Sequence, residues 1–95
     1  MKKRREFYEI RNEEDTYGLC GCFETEKDAL NEINFGYERA KERGYDNRHE
    51  KWVIVCNQVI KEYDEKGRFR KEETVRFVTS YAEYSTYENK YVFTY

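Results

Sequence analysis

The run Trp52-Val53-Ile54-Val55-Cys56-Asn57-Gln58-Val59-Ile60 carries apolar residues on both of the faces that an extended chain presents in alternation. A strand of that kind is covered on both sides and belongs in the middle of a sheet. Its continuation, Asp64-Glu65-Lys66-Gly67, is a type I turn with glycine at the left-handed position, so Asp64 is expected to pair with Arg68 in a bulged hairpin. That register sets Tyr63 opposite Phe69, Glu62 opposite Arg70 and Val55 opposite Phe77, matching aromatic with aromatic and acid with base. The outgoing strand carries Val75, Phe77 and Val78. The tail Tyr91-Val92-Phe93-Thr94-Tyr95 then returns antiparallel to it through Glu88-Asn89-Lys90.

Upstream of the central run, Glu26 to Arg43 reads as a helix. Ala29, Leu30, Ile33, Tyr37 and Ala40 fall three or four residues apart and form one apolar stripe. Thr25 supplies the N-cap with Asp28 three residues on, and Lys41, Arg43 and then Gly44 suit the dipole and the left-handed cap at the other end. Before the helix, Glu6-Phe7-Tyr8-Glu9-Ile10-Arg11 reads as a strand ending in the polar turn Asn12-Glu13-Glu14-Asp15, and Tyr17-Gly18-Leu19-Cys20-Gly21-Cys22-Phe23 as a second. The expected fold is α+β: an antiparallel sheet of about five strands with one helix packed on one face, in the order β-β-α-β-β-β.

At 95 residues the chain fits one domain, spanning 1–95, with one small core. Only 38% of residues are hydrophobic yet 18% are aromatic, so large rings must supply much of the buried area. Eighteen basic against twenty acidic residues leave a net charge of -2, which offers no long-range field favouring nucleic acid or an acidic membrane. No stretch approaches the roughly 20 apolar residues of a membrane span. Three cysteines, with no apolar run of signal-peptide length after Met1-Lys2-Lys3-Arg4-Arg5, set the expectation of reduced thiols in the cytoplasm.

Cys20 and Cys22 share one face of a strand, since residues two apart point the same way. If Leu19 and Phe23 face the helix, the cysteines face away from it. With Cys56 and the lone His49 they make four candidate metal ligands, but the paired spacing of structural zinc sites is missing, so no metal or other cofactor is expected. The thiols read as small strand residues, with the glycines allowing a bulge or a close backbone approach. His49 has no evident nucleophile and no phosphate-cradling loop beside it, and the acidic pairs Glu13-Glu14 and Glu72-Glu73 diverge as sequence neighbours, so no catalytic residues are assigned.

Binding features are richer. Phe35 falls opposite the apolar stripe, beside Arg39, which makes an exposed aromatic anchor on the helix. Tyr81, Tyr84, Tyr87, Tyr91 and Tyr95 lie within fifteen residues, more large rings than one small sheet face can cover. Tyrosine loses little rotamer entropy on binding, which suits protein recognition, and the same rings could stack on single-stranded bases. Tyr84, Tyr87, Tyr91, Tyr95, Phe35 and Arg39 are therefore the expected partner-binding residues, the alternative being that the tyrosines pack the sheet's second face and Phe35 is a singly exposed ring. The principal reading is a protein partner and the alternative is a single-stranded nucleic acid; pairing with a second copy stays open.

The opening FYEIRNEEDTYGLCGCFETEKDALNEI, residues 7–33, resembles the strand-turn-strand-helix beginnings of many small bacteriophage and mobile-element proteins. Compact, charged, aromatic-rich, proline-free chains of this size also resemble phage-encoded inhibitors of host defence, anti-CRISPR proteins among them. That class has no shared motif and carries over no residue roles. The resemblance implies a stoichiometric inhibitor that occupies a larger host protein, such as a nuclease or nucleoprotein complex.

Overall fold

A computed structural model of the protein describes residues 1–14, 18–46, 48 and 50–94. Five strands and one helix follow one another: β1 (Lys2–Asn12), β2 (Gly18–Phe23), α1 (Glu26–Glu42), β3 (Trp52–Tyr63), β4 (Phe69–Ser85) and β5 (Lys90–Thr94). They form one sheet of order β2-β1-β3-β4-β5 with every neighbouring pair antiparallel. The run apolar on both faces is the middle strand, as its pattern requires. No helix among the described residues is long and apolar enough to cross a membrane.

The sheet is five strands wide at one end only. β2 pairs with β1 over Tyr8–Arg11, and β5 pairs with β4 over Tyr81–Ser85. Beyond these, β1, β3 and β4 continue as a three-stranded ribbon. The molecule is accordingly long, 56 × 26 × 22 Å with a radius of gyration of 16.7 Å, where a compact chain of this length has about 12 Å. The helix lies over the wide end, packing Ala29, Ile33 and Tyr37 onto Ile10, Trp52, Ile54, Ala82 and Tyr91. Each of the larger of these side chains withdrawn from water contributes roughly 1.5–3 kcal/mol.

The helix begins where its cap places it, with the Asp28 amide donating to Thr25 Oγ1 at 3.1 Å. Side-chain hydrogen bonds tie it to the sheet. Ser80 Oγ donates to Glu26 Oε2 at 2.6 Å, and Asn34 acts as a surrogate strand for β5, its Nδ2 donating to the Tyr91 carbonyl at 3.1 Å while its Oδ1 accepts from the Tyr91 amide at 2.7 Å. Leu19 and Phe23 do pack on the core, and Cys22 is exposed. They achieve this through a bulge: the five residues Leu19 to Phe23 of β2 lie opposite the three residues Tyr8 to Ile10 of β1, with Gly21 at φ +121°, a conformation side-chain-bearing residues resist.

Two expectations need correction. β1 starts at Lys2, four residues before Glu6, because Lys2–Phe7 finds backbone partners in Asn57–Glu62, and a ladder of amides and carbonyls does not depend on side-chain polarity. The β3–β4 register also departs from the simple hairpin. Asp64 pairs with Arg68 and Tyr63 opposes Phe69, but a bulge at Arg70 shifts everything beyond it, so Glu62 opposes Lys71 and Val55 opposes Val78. The acid still meets a base, with Lys71 Nζ 3.5 Å from Glu62. A second bulge at Thr79 turns the strand again, its hydroxyl donating to the Ile54 carbonyl at 3.3 Å.

Candidate interaction surface

The tyrosines expected to form one surface divide between core and solvent. Tyr91 has no exposed area; its ring packs edge-on against Tyr37 and Tyr84 at 5.9 and 5.7 Å, and its hydroxyl donates to the Glu50 carbonyl at 3.2 Å. Burial pushes its phenol up to about 12. It is a core residue, and the expectation of an accessible anchor fails there because β5 turns its side chain under the helix. Tyr84 is half-buried, with its ring 5.0 Å from Tyr37, the hydroxyls 3.3 Å apart, and Arg48 over its ring. That mutual hydrogen bond holds the Tyr37 phenol above its ordinary value. Tyr87 is 95% exposed at the β4–β5 turn. Phe35 is 55% exposed with the Arg39 guanidinium 5.5 Å from its ring centre, as the helix pattern requires. Tyr95, His49 and the side chain of Cys20 lie outside the described residues.

A larger apolar surface lies elsewhere. Among the described residues β4 is flanked on both sides only from Tyr81 onward, and its edge from Phe69 to Thr79 has no neighbouring strand. Along it Val75 and Phe77 stand on the face that the helix covers further along, and Phe69, Val78 and Tyr81 on the opposite face; all five are exposed. The equivalent free edge of β1, Lys2–Phe7, is lined with cations. Charged edges discourage strand addition, and apolar ones invite it.

On the helix side of the ribbon, Glu6 accepts from Gln58 Nε2 at 2.9 Å and from the Cys56 thiol at 3.4 Å, which lowers the carboxyl's proton affinity. Burial, with Glu6 beside it, raises that of the thiol, so Cys56 is a protonated structural residue. On the other face Glu9 is desolvated, but hydrogen bonds from Asn57 at 3.0 Å and Arg76 at 2.7 Å outweigh that and keep it ionised. Further out, Lys3, Arg4, Arg5, Val59, Lys61, Tyr63 and Glu72 line a groove of about 380 Å³. Among the described residues no three His, Cys, Asp or Glu side chains gather in a geometry that could hold a metal ion.

The linear sequence places Val75, Phe77 and Val78 on a strand with the tail beside it, but it does not reveal that the tail strand reaches only Tyr81–Ser85 and leaves these three exposed. Comparison with known proteins finds no matching family model, no matching curated protein and no matching solved structure.

Proposed function

We propose that the protein is a non-enzymatic protein-binding domain whose partner adds a strand to the free edge of β4. One observation carries this reading: Thr74–Val78 has exposed apolar side chains on both of its faces, the pattern of an interior strand, and yet borders solvent. The charged run Arg70–Glu73 and the bulge at Thr79 bound the segment, leaving room for about five partner residues, an ordinary strand length. In such augmentation the main chain supplies affinity and pockets for alternate side chains supply specificity. Tyr81 extends the patch on one face, while Phe35, Arg39 and the distant Tyr87 are secondary contacts. The likeness of residues 7–33 to phage and mobile-element proteins favours an inhibitor of a larger host protein, a nuclease or nucleoprotein complex of a defence system.

The test is a photo-crosslinking residue at position 77, with one at the exposed helix position Asn31 as control, in bacterial lysate. A discrete adduct formed at position 77 alone is expected. Phe77→Glu should weaken that complex at least about thirtyfold, equivalent to about 2 kcal/mol, without lowering the melting temperature. A complex that survives Phe77→Glu would refute the assignment.

A further inference from the structure

The groove at the far end of the ribbon binds nothing in the reading above, yet its charges are arranged at a cost. Lys3 and Lys61 are direct partners across β1 and β3, and like charges so placed repel. Arg5 follows two residues along β1 on the same face, about 6.6 Å away at strand spacing. Among the described residues none of these three has a carboxylate within ion-pair distance. Lys3 instead rests over the Tyr63 ring, 5.5 Å from its centre, and Arg5 over Phe7 at 5.3 Å. Glu72, opposite Lys61, is the single acid on the groove's lining.

The wider charge distribution agrees. Residues 2–8 and 58–76 hold ten lysines and arginines against six acids, while the rest of the chain holds eight against fourteen. The near-neutral total therefore conceals a basic ribbon joined to an acidic body. An anion at the groove relieves the Lys3–Lys61 repulsion, and rings set between the cations give a flat apolar surface beside it.

We propose that this face, Lys3, Arg5 and Lys61 with Tyr63 and Phe7, binds the backbone of a single-stranded nucleic acid. Phosphates draw the cations off the rings, and the uncovered rings stack bases, the combination that sequence-tolerant single-strand binders use. Its cations lie on β1 and β3 and not on the Thr74–Val78 segment of β4, so either site can fail alone.

Fluorescence anisotropy of a labelled oligothymidylate of about 15 nucleotides tests it, in the range of roughly 10⁻⁴–10⁻⁶ M usual for non-specific binding. Three phosphate contacts give a log-log salt slope of about -2, or roughly a twentyfold loss from 50 to 200 mM salt. Lys61→Glu should weaken binding at least tenfold while the fold persists, because the new acid pairs with Lys3. Glu72→Gln should tighten binding, and Lys41→Glu on the helix and Phe77→Glu should leave it unchanged. The proposal is overturned by no binding at 50 mM salt, by Lys61→Glu or Lys61→Gln binding like the parent, by equal affinity for a duplex of the same length, or by polyglutamate competing as well as the oligonucleotide.

Discussion

Replacing Tyr91 by alanine removes the ring on which the wide end of the sheet closes. The side chain is entirely buried, touches the Tyr37 and Tyr84 rings, and spends its hydroxyl on the Glu50 carbonyl. Large-to-small changes at buried aromatic positions cost about 3–5 kcal/mol, since both the transfer energy and the packing around the vacated volume are lost. A 95-residue domain has on the order of 5–14 kcal/mol in total, so about a fifth or more of the stability is at stake. At about 4–8 °C per kcal/mol for a domain of this size, the melting temperature should fall by at least about 12 °C. Circular-dichroism melts and urea titrations of parent, Tyr91→Ala and Tyr87→Ala measure it, with Tyr87→Ala expected to melt like the parent. Tyr91→Phe keeps the ring and forfeits only the hydrogen bond, for about 1 kcal/mol. A Tyr91→Ala protein melting within about 3 °C of the parent, or a Tyr87→Ala protein as damaged as it, would refute the division of the tyrosines between core and solvent.

Asn34→Ala strips both hydrogen bonds from the Tyr91 backbone and should cost about 1–3 kcal/mol by chemical denaturation, with hydrogen exchange at Tyr91 accelerated before that of β3. Gly67→Val places a β-branched residue at φ +78° and should lower stability by about 1–3 kcal/mol, read as a drop in urea midpoint; an unchanged midpoint would mean the turn is not built as described. Alkaline pH should destabilise the fold. The Tyr91 phenol is pushed up to about 12 from an ordinary value of 10, so its contribution is intact below about pH 10 and is lost as pH rises towards 12, where the unfolded chain has released a proton that the folded one still holds. Tyr91→Phe should flatten that part of the stability–pH curve.

Wherever a local rule was sufficient, the linear sequence was enough. The stripe Ala29, Ile33 and Tyr37 with its Thr25 cap defines the helix, Asp64 and Gly67 define the turn, and the doubly apolar run from Trp52 marks the central strand, because each depends on neighbours within a few residues. The α+β class follows from those elements alone. What needed the tertiary structure was everything that distant pairing decides. The cationic Lys2–Arg5 segment becomes a strand only because β3 offers it a ladder, and the bulges at Arg70 and Thr79 choose which residues of β4 oppose those of β3. Burial of Tyr91 and exposure of Phe77 likewise depend on where β5 stops and how far the helix reaches, and no periodicity along the chain encodes either length. Residues alike in composition thus divide into core and surface through the geometry of coverage, a property of the assembled sheet.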